Sequence, residues 1–148
     1  MDIFSKLLHL AAAIVWLGGM TFMLWALRPV ALAQLAPPLR IPLLTGVMVR
    51  FFMLVWACIV VILVTGLFAI AAVGMKAAPI GWHLMLGLGL LMMAIFGHLF
   101  FGPFRRLKAA SARADWPAAG QQLARMHPWV LGNCILGWIA VAAVLLLR

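Results

Sequence analysis

Four long apolar stretches, at residues 4–27, 51–73, 81–101 and 129–147, are separated by segments where charge, proline and small polar residues collect. Each stretch is near the roughly 20 residues that a helix needs to cross about 30 Å of hydrocarbon. A chain in lipid must satisfy its backbone groups internally, so all four are predicted as transmembrane helices. The pattern predicts an all-α fold: an integral membrane four-helix bundle of up-down topology, one domain over residues 1–148.

The segments between spans carry local instructions. Pro37-Pro38 marks the bend between helices 1 and 2. The second helix is expected to begin soon afterwards, with Arg50 snorkelling beside Phe51 and Phe52. The loop at 74–80 is short, which makes helices 2 and 3 antiparallel neighbours. In the third loop Asp115 is expected to cap a short helix with Pro117 in its first turn, running to Met126, and Pro128 to break the chain before helix 4. Gly18-Gly19 and the pair Gly87 and Gly89 are expected where helices approach closely. Trp16, Trp25, Trp56, Trp82, Trp129 and Trp138 read as packing and interfacial belt residues. Ala31-Leu32-Ala33 imitates a signal-peptidase site, but the preceding run is too long and Arg28-Pro29 interrupts it, so the segment is expected to stay as a helix.

Composition sharpens this picture. The chain is 68% hydrophobic and 9% charged, with mean hydropathy +1.22. Soluble domains run about 45–50% apolar and about 25% charged, and 148 residues offer too little interior to hide the excess. The net charge of +9 would suggest nucleic acid in a soluble chain, but here the basic residues sit in loops, which favours a lipid bilayer as the partner and no nucleic acid. Arg28, Arg40, Arg50, Arg105, Arg106, Lys108, Arg113 and Arg125 fall in the first and third loops, against Lys6, Lys76 and Arg148 on the other side. The positive-inside rule then puts both termini outside, in the periplasm of a bacterial inner (cytoplasmic) membrane. With Asp2 and Asp115 the only acids, carboxylate-driven pumping or hydrolysis is disfavoured. Cys58 and Cys134 lie inside apolar runs and indicate no disulfide framework.

Histidine is the informative residue, because ionisable groups at membrane depth are expensive and mark function by default. His9 and His83 share one leaflet on helices 1 and 3, which an up-down bundle sets diagonally across its core. That spacing suits two axial ligands of one haem b; the plainer alternative is that each imidazole is satisfied near the headgroups by water or a carbonyl. His98, near the other end of helix 3, is a candidate cofactor or quinone contact, and His127 beside Pro128 reads as interfacial. Copper is the rival metal for His9 and His83. Thioethers suit Cu(I), and Met20 and Met23 share a helical face, though Met is also a common gap-filler.

The motif Lys6-Leu7-Leu8-His9, followed by Val15-Trp16-Leu17-Gly18-Gly19 and Leu27-Arg28-Pro29, resembles the copper-resistance protein D (CopD) family. So does the third span from His83 to His98, running into Phe104-Arg105-Arg106-Leu107. The resemblance implies copper uptake or resistance. There is a more distant similarity to HemJ-type protoporphyrinogen oxidases, four-helix membrane proteins thought to carry haem, through Lys6, His9, Trp82 and His98. Those proteins hold a Lys beside a His in span 3, where this chain has none. The expectation is a CopD-like protein binding haem b between helices 1 and 3 for electron transfer, as a haem-dependent oxidoreductase with a quinone or redox protein as partner. The alternatives are copper transport through the bundle or a non-catalytic membrane assembly subunit.

Overall fold

The computed structural model describes residues 2–147, and every regular element among them is helical. Helix α1 (Ile3–Phe22) passes through one π-helical segment (Met23–Leu27) into α2 (Arg28–Gln34). Helix α3 (Pro37–Val73) returns, followed by α4 (Ile80–Phe101), α5 (Pro103–Ala112) and α6 (Trp116–Leu146). Among the described residues four helical spans are long and apolar enough to cross a membrane: Ile3–Gln34, Pro37–Val73, Ile80–Ala112 and Trp116–Leu146. Large apolar side chains such as Phe4, Phe22, Phe68, Phe101 and Leu146 point outward. Such a surface is stable only against lipid, and the chain is a multi-pass membrane protein.

The helix ends follow from local chemistry. Asp2 caps α1, its carboxylate accepting the Ser5 N–H at 2.8 Å. Pro37 and Pro38 open α3, where a missing N–H costs nothing. Gly74 ends α3 at φ +87°, a conformation that other residues rarely adopt. The π segment is explained by Pro29. Its ring has no N–H to give and crowds the preceding turn, and the ladder widens so that Arg28 N–H reaches Met23 O instead.

The rods extend well beyond the apolar stretches. Helix α3, with 37 residues, is about 55 Å long at 1.5 Å per residue. Pro128 does not break the chain: α6 runs through it from Trp116 to Leu146. A helix at membrane depth keeps its remaining backbone bonds because lipid offers no replacement. Asp115 does cap this helix, accepting the Ala118 N–H at 3.1 Å. Helix α5 is an element that the loop composition concealed. It buries Pro103, Phe104, Leu107 and Ala110 on one stripe and exposes Arg105, Arg106 and Lys108.

Packing is uneven along the bundle. Helix α1 lies closely on α3, and α4 with α5 lies closely on α6, whereas α3 and α4 touch sparsely. At the arginine-rich half the two hairpins are locked by rings. Phe52 meets Phe96 at 5.2 Å and Phe104 at 4.6 Å, Trp56 meets Phe96 at 5.2 Å and Phe100 at 5.5 Å, and Trp16 meets Phe96 at 6.3 Å. Each such pair contributes roughly 0.5–1.5 kcal/mol beyond area burial. At the half near the termini no ring cluster fills the centre among the described residues, and the helices enclose a cavity instead.

Of the paired glycines, only Gly19 marks a close approach. Gly18, Gly87 and Gly89 face open space, while Gly19 sits under the Phe51 ring. A close approach of backbone to backbone is at Gly81, where a Cβ would lie 2.6 Å from Leu147 O and 2.7 Å from Ala143 O. Its N–H donates to Leu147 O at 3.0 Å, tying the start of α4 to the end of α6.

Candidate functional site

The cavity at the terminal half holds about 350 Å³ and is walled by α1, α3, α4 and α6. Its surface is mostly aliphatic, and the side chains with chemistry to offer are Lys6, His9, Met85, Met92 and Met93. Gly137 deepens the floor: a Cβ there would meet Leu17 Cδ1 at 2.6 Å and Met92 Cε at 3.1 Å.

His9 is held in a defined orientation. Its Nδ1 lies 2.7 Å from Thr65 Oγ1, and its ring rests on Gly66, whose absent side chain leaves room 3.4 Å from Cε1. The Thr65 hydroxyl has one proton, which it donates to Val61 O at 2.6 Å. Its oxygen is therefore the acceptor toward His9, and Nδ1 carries the hydrogen. In the neutral imidazole the lone pair is then on Nε2. A ring nitrogen fixed by a hydrogen bond so that the other can bind is how metal-ligating histidines are built.

The other predicted ligands are dispersed. His83 does not line the cavity; its Nδ1 lies 3.1 Å from Pro79 O and its Nε2 3.0 Å from Met75 O, both in the turn between α3 and α4. Ligation through Nε2 would require the ring to leave Met75 O while Nδ1 kept Pro79 O, so as placed these residues do not form a facing imidazole pair. His98 is exposed at the opposite end of α4, its ring centroid 5.3 Å from that of Trp129. Met20 is buried in the core, away from both cavities. Met23 lies in the π segment and lines a second, smaller cavity at the arginine-rich end together with His127. Cys58 and Cys134 are buried and unpaired as disulfides.

Among the described residues no three His, Cys, Asp or Glu side chains converge on a metal position. The donor set of the main cavity is one imidazole and thioethers from α4. That combination suits soft, monovalent copper far better than a hard cation. Lys6 is exposed at the mouth; a unit charge 4 Å away in water acts with only about 1 kcal/mol, which does not bar a cation.

Thr65 and Gly66 were not singled out by the sequence pattern, whereas Met85, Met92 and Met93 were among the methionines whose thioethers suit Cu(I). The depth of Thr65 was the available clue: in an antiparallel hairpin a hydroxyl near the end of α3 falls level with a histidine near the start of α1.

The family model described as Copper resistance protein D (CopD) matches residues 45–147, which takes in most of α3 and all of α4, α5 and α6. Thr65, Met85, Met92 and Met93 fall inside the match, and His9 lies before it. No curated protein and no solved structure matches the chain.

Proposed function

Because the chain belongs to the copper resistance protein D family, we propose that it handles Cu(I) as cargo in the cavity bounded by His9 and the methionines of α4. The supporting observation is the His9–Thr65 hydrogen bond, which commits Nδ1 and leaves Nε2 as a free donor beside an apolar, thioether-bearing cavity. His9 would supply the nitrogen ligand, Met85, Met92 and Met93 the sulfurs, and Thr65 would position the ring. No carboxylate lines the cavity among the described residues, so bound Cu(I) keeps its positive charge in a largely apolar wall. Uncompensated charge limits affinity, which suits passing an ion on more than storing it.

In the same reading the protein sits in a bacterial inner membrane with both termini in the periplasm, by the arginine asymmetry between loops. The cavity then faces the periplasmic leaflet. The ion would be taken from, or delivered to, that side.

The test is Cu(I) binding to detergent-purified protein under anaerobic reducing conditions, by competition with a chromogenic Cu(I) chelator. About one equivalent is expected, lost in His9→Ala and in the triple variant M85L/M92L/M93L. Unchanged stoichiometry and affinity in both variants would overturn the assignment. A Soret band in the same preparation would instead favour haem electron transfer.

A further inference from the structure

The second cavity, about 210 Å³ in volume, lies at the arginine-rich end between α2, the start of α3 and the first half of α6. Each of the three elements sends one nitrogen-bearing side chain to it: Arg28, Arg40 and His127. All three are half-buried. The remaining wall is apolar and includes Leu44, Met48 and Val130.

Among the described residues the two guanidinium groups have no counter-charge. The chain has two acidic residues. Asp2 caps α1 at the opposite end of the bundle, and Asp115 is exposed and caps α6 through Ala118. Among the described residues Arg28 makes no hydrogen bond, and Arg40 makes one long one, 3.4 Å to Leu35 O. His127 Nδ1 is buried with no partner. Two half-buried guanidinium groups bordering one cavity, with a third unsatisfied nitrogen, are costly unless an anion joins them.

We propose that Arg28, Arg40 and His127 form a binding site for a phosphate group carried by an anionic phospholipid. The guanidinium fork matches phosphate oxygens and donates to two at once. The apolar wall accounts for the choice of lipid, since a free anion has no use for Leu44, Met48 and Val130, whereas the glycerol and first acyl carbons do. The site lies where a basic recess between spans meets the headgroup layer. It is independent of the copper cavity and shares no residue with it.

The experiment is thermal unfolding of the full chain in a neutral maltoside detergent, with added phosphatidylglycerol, phosphatidylcholine or inorganic phosphate. Phosphatidylglycerol is expected to raise Tm by several degrees and phosphatidylcholine not to. Arg28→Gln with Arg40→Gln is expected to weaken the lipid response roughly ten- to hundredfold in concentration. Arg105→Gln with Arg106→Gln, exposed on α5 at the same end, is expected to leave it intact. An equal response from inorganic phosphate would keep the phosphate chemistry and overturn the lipid as its source. Equal shifts from both lipids, or a shift that survives loss of Arg28 and Arg40, would overturn the site. Native mass spectrometry of the unaltered protein provides a readout that does not depend on the variants folding. Phosphatidylglycerol adducts outlasting phosphatidylcholine adducts at equal concentration are expected, and equal retention would count against the proposal.

Discussion

At the scale of single residues, the contact between His9 and Thr65 bears the most weight. Thr65→Val keeps the volume and removes the oxygen that holds Nδ1. Loss of such a supporting partner typically costs ten- to hundredfold in metal affinity, so Cu(I) competition should show a loss in about that range with Tm little changed, and Thr65→Ser should recover it. Gly81→Ala tests a different constraint. The new methyl would meet backbone oxygens of α6 that cannot rotate away, and overpacking of this kind costs roughly 1–3 kcal/mol; a lowered Tm is expected. Asp2 gives a pH signature. The Ser5 N–H, followed by its hydroxyl, holds the Asp2 carboxyl below its ordinary value. The cap is therefore complete above the ordinary carboxylate pKa and is lost as pH falls through the lowered one, which amide exchange at Ser5 would report. His9 was legible as an ionisable group at depth, but Thr65 was not. A helical threonine normally satisfies itself on its own preceding turn, and this one does so while also serving His9. Pro128 was expected to end a helix beside His127; with α6 continuous, the ring lies against the second cavity.

At the scale of elements, the apolar stretches showed which rods cross the membrane but not how far they extend. Polar ends continue as helix once they are capped and packed, as Pro37 and Asp115 allow. Helix α5 was hidden because its buried stripe is interleaved with Arg105, Arg106 and Lys108, so its mean composition resembles a loop while its period is helical. Leu107 is completely buried against this stripe's partners. Leu107→Asp would place a carboxylate in that contact, at a cost of several kcal/mol. Detachment of α5 should follow, seen as faster tryptic cleavage at Arg105 to Arg113 before any loss of overall helicity. A rate equal to wild type would show that α5 is held by something other than this stripe.

At the scale of the whole molecule, the loop charges carry the orientation proposal, and fusions test it. Alkaline phosphatase joined at the C-terminus should be active, and a fluorescent protein inserted after Arg113 should fold; the reverse pair of results would invert the bundle. The diagonal placement of α1 and α4 was readable from connectivity, and their ring contact at Trp16 and Phe96 agrees with it. The unequal filling of the two halves was not readable, because it depends on which faces of α1, α3, α4 and α5 the six large rings take. That inequality makes the molecule a pair of tweezers. The ring stack is the pivot and the helix ends around His9 and Met85 are the tips, so displacement from any given tilt grows with distance from the rings. On the proposed reading, trimming the pivot, as in Phe96→Leu, would therefore alter how tightly the tips hold Cu(I), although no atom changed there touches the ion.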